Sequence, residues 1–309
     1  MIRFYERREG ALIQIPEFIS HSLIVVTNPD QKEIADLAGR FSFEKDFITD
    51  ALDIEERARF EVEGDILLII LKVPFKNEDL KRKIPFSTVS LGIIVGKEYV
   101  ILVSRNHIPF IERMIEKSAV SPKKKTRMVF LIFFRNSEVF LKSLEEINLT
   151  LNQIEQRLHE STRNVELERL MQLEKSLVYF STSLRSNQVM IERLLRSPLL
   201  IKYEEDTDLL EDTLVENSQA IEMTSIYSNI LSSMMDAYAS VISNNLNIVL
   251  KILTVVTILM QVPTIIASIY GMNVPLPLQN SPYAFMFILI WVGIASAVII
   301  YLFRYKGWM

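Results

Sequence analysis

The sequence predicts an α+β membrane protein, with an N-terminal α/β domain, long stalk helices and two C-terminal transmembrane helices. Three observations carry that prediction. Nothing from Ile252 to Phe303 is charged, although 23% of the 309 residues are. No glycine occurs between Gly96 and Gly271. The residues before that interval hold short β-branched runs bounded by Gly, Pro or Asn, which is strand punctuation.

Residues 1–121 read as a mixed α/β domain. Strands are expected at Ser22–Thr27, Asp65–Val73, Ser87–Val95 and Tyr99–Ser104, with Gly96-Lys97-Glu98 short enough for a hairpin. Helical patterns (QKEIADLAGRF, EKDFITDALD) fill the interval between Asp30 and Asp53, and Pro109–Val120 reads as another helix. Helices interspersed with a small sheet make a layered domain.

Residues 122–251 read as a helical stalk. One helix is expected from about Thr126 to Arg163 and a second from Val165 to Arg196, with a break at Ser197-Pro198. A third begins near Glu204 and meets no breaker before the apolar stretch. On it Leu210, Leu214, Ile221, Leu231, Met235, Tyr238 and Ile242 follow one seam at coiled-coil spacing. At about 1.5 Å per residue a helix from Glu204 to Ile269 is roughly 100 Å long. Its own chain offers no partner of that length, so it is expected to pack against copies of itself.

The uncharged residues 252–303 suit two membrane crossings of about 20 residues each. They fall at about 252–270 and 283–303, joined by a loop, 271–282, and followed by a basic tail, 304–309. Lys251 precedes the first crossing, Arg304 and Lys306 follow the second, and the loop has no Lys or Arg. Basic residues stay inside, so a multi-pass protein of the cell membrane with both termini cytoplasmic is expected. The first ten residues carry charges where a signal peptide needs an apolar core.

Composition excludes several functions. The absence of cysteine removes disulfides, thiolate zinc sites and cysteine nucleophiles. His21, His107 and His159 lie too far apart in sequence for a histidine-built metal site. A net charge of -4 argues against a nucleic-acid partner. Gly92 to Lys97 looks like a phosphate loop, but the spacing is one short and Glu98 replaces the hydroxyl residue. It reads as strand and turn, and Lys123-Lys124-Lys125 as a solvated helix start. No enzyme, ATP site or organic cofactor is expected. The partners expected are the lipid bilayer and further copies of the chain.

The stalk seam continues into the first crossing through Asn247, Leu250, Leu253, Thr257, Gln261, Thr264, Ser268 and Gly271. Polar side chains in hydrocarbon face a bundle interior or a water-filled path. The alternative is that the hydroxyls bond their own helix and the seam is only a contact. The crossing ends in Tyr270-Gly271-Met272-Asn273. Gly271 is expected to close the helix in a left-handed conformation, leaving Asn273 to present an amide donor and acceptor at the mouth.

Gly-Met-Asn at the end of the first of two C-terminal spans, a short loop, a basic tail, a glycine-free long helix and a preceding α/β domain together resemble the CorA family of magnesium transporters. The resemblance implies a funnel-shaped homopentamer whose first spans surround a central pore. It places the filter on Gly271, Met272 and Asn273, and pore positions on Asn247, Leu250, Leu253, Gln261 and Thr264. It also implies a regulatory cation held by Asp212, within the acidic run from Glu204 to Glu216, and by Asp79 or Glu78 of a neighbouring subunit. In two respects the sequence departs from the family: the loop PLPLQNSPY lacks an acidic residue, and Gln261 stands where an apolar pore residue is usual.

The function this implies is passive, gated Mg²⁺ transport with feedback by cytoplasmic Mg²⁺, the ion being both cargo and regulator. A ring of neutral amides suits an ion that sheds water reluctantly. The residues do not separate Mg²⁺ from Co²⁺ or Ni²⁺. A Zn²⁺ transporter of the same fold and a non-transporting, membrane-anchored oligomeric sensor or scaffold stand as alternatives.

Overall fold

Alternating and continuous apolar runs in the first hundred residues assemble into one seven-stranded mixed sheet. The structure, a computed structural model, describes residues 1–77, 84–158, 164–197, 204–278 and 280–307. The strands are β1 (Ile2–Arg8), β2 (Ala11–Ile15), β3 (Ser22–Thr27), β4 (Arg59–Glu63), β5 (Ile66–Lys76), β6 (Phe86–Val95) and β7 (Tyr99–Ser104), in the order β2-β1-β3-β7-β6-β5-β4. Only β3 and β7 pair in parallel. The central strands β3, β5, β6 and β7 are buried along almost their whole length, as continuous Val/Ile/Leu runs require when both faces are covered.

Helices α1 (Gln31–Phe41) and α2 (Asp46–Leu52) cover one face, packing Ile34, Leu37, Phe47 and Ile48 on Leu68, Ile70 and Ile94. A capping box starts α1: Asp30 accepts from the Glu33 N–H and Glu33 accepts from the Asp30 N–H, satisfying two otherwise orphaned donors. The other face carries α3 (Pro109–Glu116) together with α4 (Lys125–Leu158) and α5 (Asn164–Arg196), through Ile111, Phe130, Phe133 and Ile191. Helix α3 stops short of the expected Val120. Ser118 adopts φ 51° and the Ala119 N–H returns to the Met114 carbonyl, turning the chain out.

Beyond the sheet, α4 and α5 pack with α6 (Glu204–Tyr270) around Phe140, Leu144, Leu173, Phe180, Ala220 and Leu231. The strands β1, β2 and β4 go beyond the sequence expectation, and Lys125 departs from it. While Lys123 and Lys124 are exposed, the Lys125 ammonium donates to the carbonyls of Gly96 and Lys97, each at 2.6 Å. It ties α4 to the β6–β7 turn, and burial lowers its pKa. The chain divides into two units, Met1–Met235 and Asp236–Met309, with α6 contributing to both. The second unit ends in α7 (Ala284–Tyr305).

Candidate functional site

Two helices of the second unit are apolar enough to cross a membrane, with mean hydropathy 2.1 in the α6 window and 2.6 in α7. They are not core helices of a soluble fold, because only 6% and 0% of those windows are buried. Met260, Phe285, Trp291 and Tyr301 are each about two-thirds exposed. Apolar area on that scale needs lipid or protein to cover it.

Within this unit α6 has two unlike sides. Val255 is buried, and Ile258, Leu259, Val262 and Ile266 are half-buried. At about 100° per residue, Val255, Val262 and Ile266 lie roughly opposite the line through Thr257, Gln261, Thr264 and Ser268. Those four, with Asn247, Leu250 and Leu253, are exposed. The polar seam is thus the side that the chain itself does not cover.

The threonine hydroxyls on the seam bond their own helix: Thr257 donates to the Leu253 carbonyl at 2.8 Å and Thr264 to the Met260 carbonyl at 2.9 Å. Each oxygen keeps lone pairs for a further partner. The amides are different. Asn247, Gln261 and Asn273 make no side-chain hydrogen bond among the described residues. Gln261 lies within the crossing, where an unpaired amide costs several kcal/mol, so water, an ion or another copy must meet it.

Helix α6 ends differently from the sequence expectation. Gly271 does not take a positive φ, since among the described glycines only Gly10, Gly64 and Gly307 do. The Gly271 N–H keeps a helical bond to the Ala267 carbonyl at 2.9 Å, and the turn tightens one residue later, where the Met272 N–H bonds the Ile269 carbonyl at 3.2 Å. Shorter-range bonds of this kind satisfy terminal carbonyls without a left-handed residue. Gly271, Met272 and Asn273 follow as exposed turn and bend.

The acidic run on α6 is not one uniform cluster. Asp206 is buried and accepts from Arg127 at 2.8 Å, so it joins α4 to α6. Asp208, Glu211 and Asp212 are exposed. Asp79 and Glu78 lie outside the described residues. Among the described residues no three acidic or histidine side chains are grouped to hold a metal. Sequence reasoning did not single out Asp206, whose pairing only the tertiary structure reveals.

An α/β domain leading through one long helix into two exposed apolar helices defines an integral membrane protein. The chain belongs to the CorA-like Mg²⁺ transporter family, whose model matches residues 21–305. The cobalt/magnesium transport protein CorA of Methanocaldococcus jannaschii is 30% identical over 292 residues, spanning 91% of this chain and 89% of that protein. The cobalt/magnesium transport protein CorA of Thermotoga maritima is 22% identical over 270 residues, spanning 85% and 76%. The complete structure of the CorA magnesium transporter from Methanocaldococcus jannaschii matches with a TM-score of 0.84 at 27% identity, over 100% of this chain and 99% of that one.

Proposed function

We propose that the chain transports Mg²⁺, with Co²⁺ as a second cargo, passively through a central pore formed by five copies. The observation that carries this reading is the seam of Thr257, Gln261, Thr264 and Ser268, exposed on the side of α6 opposite its shielded stripe and preceded by the exposed Asn247. Copies arranged around that seam satisfy its amides and cover its flanks together. Asn273 then forms a ring of neutral amides at the outer mouth, with Gly271 and Met272 beside it. Such a ring hydrogen-bonds a hydrated ion without stripping it and releases it onward.

Leu250 and Leu253, repeated about the axis, make an apolar constriction that closes by dewetting. With Lys251 and the tail on the cytoplasmic side, an inward potential supplies about 2.3 kcal/mol per charge per 100 mV, twice that for a divalent ion. Transport then needs neither ATP nor an organic cofactor. Feedback acts through Asp212 and a carboxylate at Asp79 or Glu78 of the adjacent copy, whose shared cation offsets their repulsion and favours the closed state.

Purified protein in liposomes, with Mg²⁺, Co²⁺ and Zn²⁺ fluxes compared, tests the reading. Mg²⁺ and Co²⁺ should enter and Asn273→Ala should abolish Mg²⁺ entry while the oligomer persists. Zn²⁺ entry alone would reassign the cargo. No flux of any ion from correctly assembled protein would leave the sensor or scaffold reading.

A further inference from the structure

The face of the sheet under α1 and α2 is apolar where those helices lie and polar beyond them. Leu68, Ile70 and Ile94 are buried there, and past Gly92 that face of β5 and β6 continues as Lys72, Ser90 and Thr88. A cleft of about 820 Å³ opens at this point, bounded by the loop after α2, by β5 and β6, and by α5.

Lys72 lies in it and is only 6% exposed. Its ammonium donates to the Ile54 carbonyl at 2.7 Å and to Ser90 Oγ at 3.2 Å. One of its three N–H groups is left without a partner among the described residues, and no carboxylate there is in ion-pair contact with it. Burial lowers its pKa, and the fields of Glu55, Asp53 and Glu56 pull it back up only in part.

Arg57, Arg105 and Lys175 line the same cleft, exposed, with no ion pair or hydrogen bond among the described residues. Among the described residues, only Glu55 and Glu56 oppose these cations within the lining, and Glu56 is held by Arg59 at 2.9 Å. The buried hydroxyls of Thr88 and Ser183, 2.8 Å apart, add polar surface. A buried ammonium is normally paired, and low-dielectric walls concentrate an uncompensated positive field.

We propose that this cleft binds a phosphate-bearing small anion, with Lys72 as the buried charge contact and Arg57, Arg105 and Lys175 gathering the remaining charge. Guanidinium forks and ammonium groups are the side chains that hold phosphate oxygens. The volume falls within the range of about 300–1,000 Å³ usual for small-ligand sites. It exceeds what inorganic phosphate fills, and Tyr179 supplies an aromatic face on which a base can stack. The inference stands apart from the transport reading and survives its failure.

The test is calorimetric titration of the full detergent-solubilised chain in Mg²⁺-free buffer with inorganic phosphate, pyrophosphate and ATP in separate runs. Saturable binding is expected, tightest for ATP, and weakened about tenfold or more in the Arg105→Glu/Lys175→Glu variant. Both side chains are exposed and have no partner among the described residues, so that variant keeps the fold even where Lys72→Met does not. Equal affinity for pyrophosphate and ATP would identify the polyphosphate alone as the ligand. Absence of saturable binding by all three up to about 1 mM, or affinity unchanged in the double variant, overturns the proposal.

Discussion

Asn187 on α5 completes the strand edge of Lys72: its Oδ1 accepts from the Lys72 N–H at 2.9 Å, and its Nδ2 donates to the Lys72 carbonyl at 2.8 Å. The reason lies in the neighbouring strand. Pairing between β4 and β5 ends at Arg59 opposite Ile70, so Lys72, which has β6 on its other side, has no strand on the β4 side. Asn136 on α4 donates to the same carbonyl at 3.0 Å. One side-chain amide thus does the work of a peptide.

Asn187→Ala should therefore be costly, because it leaves a buried N–H with no acceptor. An unsatisfied buried donor costs about 1–3 kcal/mol. Asn136→Ala should cost less, since Asn187 still serves the carbonyl, and the Asn136 Oδ1 is already unpaired. Thermal unfolding of the two variants in the same detergent checks the order. Equal midpoints would show that Asn187 does not replace a strand.

Gly92 makes a second prediction. A Cβ built there would stand 2.4 Å from the Ala51 Cβ on α2 and 3.6 Å from the Val103 Cβ. Gly92→Ala should push α2 off β6 at about 1–3 kcal/mol. Ala51→Gly in the same chain should recover most of the loss, because the two positions share one contact. Simple additivity of the two changes in unfolding midpoint would refute the close approach. The glycine that resembled part of a phosphate loop is here a packing requirement.

The central strands and the long helices are legible in the sequence because one force dominates each. Runs such as SLIVVT and YVILVS have no polar alternative, and α6 has no glycine to end it before Gly271. The strands β1 and β4 are not legible, since the charges in IRFYERR and RFEVE break the apolar pattern; those of β4, at the edge of the sheet, also protect it from further pairing. The seam of α6 shows in its three- and four-residue period. Which side the chain covers depends on packing around Val255, which the period alone does not state. A lysine in the middle of ILLIILKVPF was visible. Its cleft was not, because Arg105 and Lys175 reach it from distant elements.

Tyr99 supplies a pH prediction. It is 8% exposed, its ring lies 4.5 Å from that of Phe41, and its hydroxyl donates to the Phe41 carbonyl at 3.3 Å. Burial pushes its phenol up to about 12, whereas an unfolded tyrosine ionises near about 10. Between those values the folded chain holds a proton the unfolded chain has lost. The stabilisation is therefore complete below about pH 10 and lost as pH rises toward 12, a change of about 2–3 kcal/mol. Tyr99→Phe should flatten the alkaline fall in unfolding midpoint and remove the last-ionising step from the tyrosinate absorbance titration. A variant with the same alkaline slope as the parent would contradict this.

The last prediction concerns Asp212 and feedback. Of the acidic run on α6, Asp206 is neutralised by Arg127, while Asp208, Glu211 and Asp212 stand exposed on the helix. If Asp212 shares a cation with Asp79 or Glu78 of an adjacent copy, the ion must bind the closed arrangement more tightly than the open one. Its loss at low cytoplasmic Mg²⁺ then lets the carboxylates repel one another and releases the constriction at Leu250 and Leu253. Coupling is reciprocal, so removing the ligand should weaken inhibition without touching the filter proposed at Asn273. Asp212→Ala should keep Mg²⁺ entry into liposomes but require several-fold more internal Mg²⁺ for half-inhibition, with only part of the inhibition lost because Asp208 and Glu211 offer substitute oxygens. Asp206→Asn should behave differently: it removes a buried charge partner of Arg127, so it lowers the unfolding midpoint and leaves the inhibition curve in place. Mg²⁺ inhibition unchanged in Asp212→Ala, together with unchanged protection of the stalk from protease by Mg²⁺, would reduce this run to a solvated helix start, where carboxylates suit the helix dipole and nothing more.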